Sequence, residues 1–331
     1  MRILVTGGTG FLGKRLIALL ARDGHELLAL TRSQASHDGL RALGAEPVVG
    51  DLDDPAPLRL PQIDAVVHAA ALFRFSGPRA PFFRTNVEGT AALLEAGEGA
   101  GAKTFVYISA AGVVMDEAGA PIRNVEEDAV TFPRHFSAYL ASKAQAEAIV
   151  LAADRPGFRA MALRPPAIWG AGDAFSRELP RAIAIGQFAF VDRGDFPFST
   201  CHVDNVVEAV ACALERGGGG RAYFVNDREK TTLREFIAGI AAVHGLSIDE
   251  VRSLPYWLAV SMGRLIEWFW AVSRREGDPP VSRAMMRMLG REFDTDDTAA
   301  RCELGYVGRT TFSEGLRGYA ASPTATMVAA A

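Results

Sequence analysis

The chain has 331 residues, 49% hydrophobic and 22% charged, enough for one large α/β unit or two closely joined domains around a substantial core. Its 35 basic and 39 acidic residues leave a net charge of −4 with no evident basic face, so nucleic acid is not expected as a partner. Cys201, Cys212 and Cys302 are scattered and lack metal-ligand spacing; they read as small core residues of a protein from a reducing, cytoplasmic compartment, with no disulfide framework and no metal.

The chain opens on a short apolar strand, Arg2–Thr6, so no signal peptide is expected. The strand runs into Gly7-Gly8-Thr9-Gly10-Phe11-Leu12-Gly13 and then a helical pattern, Leu16, Ile17, Leu19, Leu20. Strand, glycine turn and helix together are the context in which such glycines bind a dinucleotide. The first permits the tight turn, the second lets backbone approach a pyrophosphate, and the third lets the helix pack close to the strand. The helix N-terminus offers free N–H groups to the phosphates.

Further strand-like runs are Glu26–Thr31, Glu46–Val49, Ala65–Ala69, Thr104–Ser109 and Arg159–Arg164, with helical patterns at about 11–23, 86–99 and 138–153. This alternation predicts an α/β fold, a doubly wound parallel sheet. An apolar helix at Val203–Leu214, a turn at Gly217–Gly220 and a strand at Ala222–Val225 follow. Beyond them the sequence reads as helices, at Thr232–Val243, Tyr256–Ser273 and Ser282–Leu289. The expected division is a nucleotide-binding domain of residues 1–170 plus 201–228, a smaller, mostly helical substrate domain of 171–200 plus 229–320, and a flexible tail, 321–331.

The most apolar stretch, 254–272, carries Arg264 and Glu267 in its middle, which argues against a membrane-spanning helix. It is apolar around most of its circumference. Burial is the default expectation, with lining an apolar pocket or resting on a membrane surface as the alternatives.

Tyr139 and Lys143 are four apart on a helical pattern and so share one face. An ammonium beside a phenol favours the phenolate, and the tyrosine then exchanges a proton with a carbonyl or alcohol.

With these residues in place the sequence resembles the extended short-chain dehydrogenases/reductases over about residues 1–320. The motifs are Thr6 to Gly13, Gly50-Asp51-Leu52, His68-Ala69-Ala70-Ala71, Asn86-Val87-Glu88-Gly89-Thr90, Tyr139 with Lys143, Arg164-Pro165-Pro166-Ala167-Ile168-Trp169-Gly170 and His202-Val203-Asp204-Asn205-Val206. The resemblance implies a Rossmann domain binding NAD(P), with Gly7, Thr9, Gly10, Phe11, Leu12 and Gly13 at the cofactor, and hydride transfer at a C–O carbon. Tyr139 would be the acid/base and Lys143 would also hold the nicotinamide ribose. Asp51 and Leu52 would sit by the adenine, Ala69, Ala70 and Ala71 would line the cofactor groove, and Pro165 and Ile168 would contact the nicotinamide. Asn86 would tie the active-site helix to the sheet through water. The resemblance also implies a homodimer paired through helices 86–99 and 138–153.

Plainer readings stand beside these. Asp51 reads equally as a turn cap, and Asn86 as a helix N-cap. His68 reads as a packed, hydrogen-bonded core residue, and His202 with Asp204 as a structural pair or cap.

One position departs from the family pattern. The usual second hydroxyl after the fifth strand falls on Ala110 in Ile108-Ser109-Ala110-Ala111-Gly112. A donor to a substrate oxyanion is worth about 3–4 kcal/mol, which leaves three readings: Ser109 substitutes after a small shift, another hydroxyl reaches in, or the protein is a slow or altered catalyst; the working expectation is that Ser109 takes some of the role. For the ribose, Arg32 and Ser33 follow the second strand where NAD enzymes carry an acid, which predicts NADP over NAD.

Phe73, Phe75, Phe82 and Phe83 concentrate beyond the fourth strand, and the stretch before His202 lacks the arginine-aspartate pair usual in sugar-nucleotide epimerases. The carboxy-terminal pattern Pro255, Glu267, Pro280-Val281-Ser282-Arg283, Phe293-Asp294 and Leu304-Gly305-Tyr306 resembles the 3β-hydroxysteroid dehydrogenase and dihydroflavonol-reductase-like branch. The expected activity is interconversion of a secondary alcohol and a ketone on a small hydrophobic substrate: sterol-like, flavonoid-like or a long-chain β-keto or β-hydroxy compound. The alternatives are a sugar-nucleotide epimerase/dehydratase and a non-catalytic NADP-binding sensor.

Overall fold

A computed structural model describes residues 1–54, 58–173, 175–273, 279 and 281–321; Pro280 and the expected flexible tail from Ser322 onward lie outside the described residues. Seven strands form one parallel sheet in the spatial order Ala222–Phe224, Arg159–Arg164, Thr104–Ile108, Ala65–His68, Arg2–Thr6, Glu26–Thr31, Ala45–Val49. Runs such as Ile3-Leu4-Val5 and Phe105-Val106-Tyr107 are buried on both sheet faces, so helices must cover both. The helices Phe11–Arg22 and Val203–Glu215 cover one face, packing Leu16, Ile17, Val206 and Val210 against Ile3 and Val5. Gly89–Gly99 and Ala138–Ala152 cover the other, packing Leu93, Leu94, Ala146 and Val150 against Leu4, Val66 and Phe105. The winding direction reverses between Arg2–Thr6 and Ala65–His68, and a crevice opens there at the carboxyl ends of the strands.

A smaller sheet has the order Thr231–Thr232, Pro197–Phe198, Phe293–Thr295, Ile122–Val125. It shares a core with the helices Leu233–Val243 and Phe312–Ala320, built on Trp169, Phe236, Ile240, Phe293 and Tyr319. Capping boxes open both helices, Thr232 with Glu235 and Thr311 with Glu314. The domain division drawn from sequence placed Ile122–Val125 in the nucleotide-binding unit, yet its register partners are Phe293 and Thr295 in this smaller sheet.

The two layers meet where Ala167–Trp169 pairs with Thr200–His202. Asp227 organises the junction, accepting from Trp169 Nε1 at 2.6 Å, Thr200 Oγ1 at 2.8 Å, His202 N at 2.6 Å and Asn205 Nδ2 at 2.7 Å. His202 caps the following helix through Asp204 N at 3.2 Å, and Asp204 pairs with Arg15, with Nη2 donating to Oδ2 at 2.8 Å. Both residues are structural, as read from the sequence.

Three expectations are corrected. Only Cys201 is a core cysteine; Cys212 is half-buried and Cys302 exposed, so small size did not decide their placement. The helical pattern at 86–99 begins earlier, as Arg79–Phe83 and a wide π-type turn, Arg84–Glu88, before Gly89–Gly99. Asn86 therefore lies within that turn and is no N-cap. The helix Tyr256–Val272 is not buried around its circumference: Trp257 is 69% exposed, Leu265 64% and Trp268 63%. Among the described residues no helix is long and apolar enough to cross a membrane.

Candidate active site

The glycine turn builds one wall of the crevice. Gly7 has φ +73°, a left-handed conformation that side chains disfavour, and a Cβ there would stand 2.9 Å from Ala70 N. A Cβ on Gly13 would stand 2.0 Å from Gly7 O, so the helix start and the turn touch backbone to backbone. Gly10 precedes the helix Phe11–Arg22 with no side chain capping it, and Thr9 and Gly10 are exposed at its mouth. Amides of the first helical turn, Phe11 and Leu12 among them, therefore face outward with no side-chain competitor, a cradle suited to a pyrophosphate. Ala69 and Ala70 are half-buried and Ala71 exposed along the neighbouring strand end, where larger side chains would narrow the groove.

The residues expected at the adenosine end lie farther along. Arg32 is 70% exposed and only loosely paired with Asp53, Nη1 to Oδ2 at 3.4 Å, and Ser33 is exposed beside it. Asp51 caps its own turn through Asp53 N at 3.0 Å, as the plainer reading of that residue has it. Leu52 is buried, and its carbonyl would stand 2.7 Å from a Cβ at Gly89, so this loop is clamped against the helix Gly89–Gly99.

Below the crevice a buried polar chain holds the parts in register. His68 bridges Thr6 Oγ1 at 2.7 Å and Thr90 Oγ1 at 2.9 Å. Burial, with the Lys143 charge adding to it, pushes its pKa down to about 3, so it is a neutral structural group rather than a proton carrier. Asn86 accepts from Leu72 N at 2.7 Å and donates to Leu72 O at 3.1 Å and Ser142 Oγ at 2.9 Å. Ser142 in turn donates to Tyr139 O at 2.7 Å. The expected water-mediated tie from Asn86 to the tyrosine helix is thus a direct bond here.

The tyrosine helix Ala138–Ala152 starts on Ser137, whose hydroxyl accepts from Leu140 N. Tyr139 is half-buried in its first turn, and Lys143 lies one turn on, 2% exposed. The Lys143 ammonium donates to Ile108 O at 2.5 Å and stands 4.1 Å from the centre of the Tyr107 ring. The sequence expectation of a lowered tyrosine pKa is not what this arrangement gives. Burial pushes the Tyr139 phenol up, and burial pushes Lys143 down to about 7 against an opposing pull from Glu147. Desolvation penalises both charged forms, and the ammonium spends its contacts on Ile108 and Tyr107. Glu147 is held by Arg164 in a buried bidentate pair, Nε to Oε2 at 3.0 Å and Nη2 to Oε1 at 2.6 Å.

Ser109 is 4% exposed and its hydroxyl has no hydrogen-bond partner among the described residues, while Ala110 is only half-buried at the strand end. An unpaired buried hydroxyl costs stability unless something else uses it. Pro165 is buried, its carbonyl accepting from Ala111 N at 2.9 Å, and Ile168 is half-buried against the main core. Phe73, 51% exposed, stands edge-on to Tyr139 at 4.8 Å between centroids, with Phe75 edge-on to Phe73 at 5.2 Å. Phe82 is a core residue.

Sequence reading missed Tyr107 and Ser142. The second was legible three residues from Tyr139, on the same helical face. Tyr107 carries no local signal, since an aromatic in a buried strand is ordinary. Among the described residues no cluster of His, Cys, Asp or Glu is placed to hold a metal.

A Rossmann crevice with a glycine cradle and a tyrosine-lysine pair at its floor defines an NAD(P)-dependent dehydrogenase/reductase of the extended short-chain superfamily. The chain belongs to the NAD dependent epimerase/dehydratase family, whose model matches residues 3–225. It is 39% identical to a 4-hydroxy-2-methyl-3-oxo-4-farnesyl-3,4-dihydroquinoline-1-oxide ketoreductase of Stigmatella aurantiaca, over 96% of this chain and 95% of that one. It is 33% identical to a 2-alkyl-3-oxoalkanoate reductase of Stenotrophomonas maltophilia, over 98% of this chain and 100% of that one. A UDP-glucose 4-epimerase of Thermotoga maritima has the same fold, with a TM-score of 0.74 at 20% identity, covering 99% of this chain and 100% of that one.

Proposed function

We propose that this oxidoreductase interconverts a ketone and a secondary alcohol on a small hydrophobic substrate. The observation that carries the reading is the aromatic wall at Tyr139: Phe73 packs edge-on against the phenol and still exposes half its surface. A substrate carbonyl brought to Tyr139 would lie against apolar rings rather than charged groups, which suits a lipophilic ketone. The two ketone reductases named above agree with that chemistry, one acting on a farnesylated dihydroquinoline oxide and the other on 2-alkyl-3-oxoalkanoates.

A nicotinamide dinucleotide supplies the hydride when bound. Tyr139 gives its phenolic proton to the carbonyl oxygen, which ends as the alcohol, and takes one back in the reverse direction. Lys143 holds the nicotinamide ribose and, when charged, steadies the phenolate. Ser109 offers its unpaired hydroxyl to the substrate oxygen in place of the absent side chain at Ala110. Gly7, Thr9, Gly10, Phe11, Leu12 and Gly13 would cradle the pyrophosphate. Asp51 and Leu52 would flank the adenine, Ala69, Ala70 and Ala71 would line the groove, Pro165 and Ile168 would border the nicotinamide, and Asn86 fixes the tyrosine helix beneath. Arg32 and Ser33 select NADP through the 2′-phosphate.

We also propose a homodimer through the helices Gly89–Gly99 and Ala138–Ala152. Their exposed positions Ala91, Ala148 and Ala152 are small enough to let two helices approach closely. The three free cysteines suit the reducing cytoplasm.

The competing reading, an NADP-binding sensor without turnover, is favoured by Ala110 alone. Nicotinamide oxidation measured with a panel of hydrophobic ketones, wild type against Tyr139→Phe, separates the two. Turnover that the variant loses supports the reductase; tight NADPH binding without turnover in either protein would sink it.

A further inference from the structure

We propose that the helix Tyr256–Val272 docks the protein onto an anionic lipid surface beside the active-site mouth. Trp257, Leu265, Trp268 and Val272 share one side of this helix with Ser261 and Arg264, and Met262 borders them. Trp257, Leu265, Trp268 and Val272 are each more than 60% exposed. The seventeen-residue helix is roughly 25 Å long, so these side chains form a long apolar strip broken only by Ser261 and Arg264, larger than scattered surface residues require.

The opposite side of the helix is fully engaged. A Cβ on Gly263 would stand 3.1 Å from Arg283 N, and Glu267 Oε1 accepts from that amide at 2.8 Å. The Arg283 guanidinium lies 4.0 Å above the Phe136 ring, three residues before Tyr139. The strip is therefore anchored, through Arg283 and Phe136, to the start of the tyrosine helix.

Two features choose lipid over a second copy of the chain. Trp257 and Trp268, eleven residues apart on the strip, suit a membrane interface, where the ring is buried and the N–H stays wet. Arg264, the middle residue of the helix, is exposed and belongs to none of the ion pairs among the described residues. A twofold antiparallel pairing of two such helices would place Arg264 against its own copy, whereas anionic headgroups complement it. The purpose of the contact, collecting an apolar ketone from lipid, rests on the proposed function; the contact itself does not.

The test is flotation of the full-length protein with vesicles of phosphatidylcholine alone and of phosphatidylcholine with phosphatidylglycerol, assayed alongside turnover of a short, water-soluble 3-oxo ester. Wild type floats with the anionic vesicles. The double variant Trp257→Gln/Trp268→Gln loses at least about tenfold in partitioning while its turnover of the soluble ester stays unchanged. Arg264→Glu loses the preference for anionic over neutral vesicles. Wild type that stays in solution with both vesicles overturns the proposal, as does a double variant that floats as well as wild type. A wild-type dimer, seen by light scattering, that the double variant loses would assign the strip to a second copy instead. Vesicle binding without turnover of any ketone would sink the functional reading and leave the docking standing.

Discussion

Asn86 donates to the Ser142 hydroxyl at 2.9 Å, and that bond joins the wide turn Arg84–Glu88 to the helix that carries Tyr139 and Lys143. Asn86 is 1% exposed and also spans both backbone groups of Leu72, so removing its side chain strands several buried partners at once. Asn86→Ala is expected to lower unfolding free energy by about 1–3 kcal/mol and to reduce kcat, because the tyrosine helix loses its tie to the groove. Ser142→Ala, which breaks one branch only, costs less in both. Urea unfolding and steady-state kinetics on the pair check the order; equal effects would place the importance of Asn86 elsewhere.

Ser109 and Ala110 make opposite predictions. Ser109→Ala removes the unpaired buried hydroxyl and is expected to cut kcat by about 10²-fold with stability unchanged or slightly raised. Ala110→Ser in that background restores part of the loss if the more exposed position also reaches the substrate oxygen. Wild-type turnover in Ser109→Ala removes this residue from the mechanism.

Gly13→Ala drives a methyl group into the carbonyl of Gly7, at 2.0 Å before relaxation. Neither side is a flexible side chain, so the turn must open. The expected result is a loss of about 1–3 kcal/mol in stability and a much weakened Kd for NADPH, read by thermal melting with and without cofactor. An unchanged cofactor-induced rise in Tm would mean that the dinucleotide does not rest on this turn.

Arg32→Ala tests the choice of cofactor. A charged hydrogen bond to a 2′-phosphate contributes about 1.5–3 kcal/mol, so KM for NADPH is expected to rise tenfold or more while KM for NADH changes little. Because Asp53 holds Arg32 only at 3.4 Å, little stability is lost with it. Parallel shifts for both cofactors would reject the assignment.

His68 gives a pH signature. Its pKa falls from 6.5 in the unfolded chain to about 3 in the fold. Between those values the unfolded chain binds a proton that the folded chain refuses, so this residue's contribution to stability is whole above 6.5 and is lost as pH drops. The slope is up to about 1.4 kcal/mol per pH unit. Urea unfolding of His68→Asn between pH 6 and 4 should show a slope shallower by about one proton; an unchanged slope would locate the acid sensitivity in other groups.

What the sequence determined by itself are the features whose physics is local. The glycine turn needs three glycines within seven residues, a strand before it and a helix after it, and the Tyr139–Lys143 pair needs only a helical repeat. The inner strands of the large sheet were visible because strands buried on both faces are continuously apolar; the edge strand Ala45–Val49 is only partly buried. Tertiary structure decided the rest. Pro197–Phe198 and Ile122–Val125 are two and four residues long and exist as strands only through distant partners, which no local pattern encodes. The pKa values of Tyr139 and Lys143 follow from burial, not from their spacing. The helix Tyr256–Val272 is the clearest case: a nearly all-apolar circumference reads as a buried helix, and only the packing of Gly263 and Glu267 on Arg283 shows which side is covered and leaves its tryptophans facing outward.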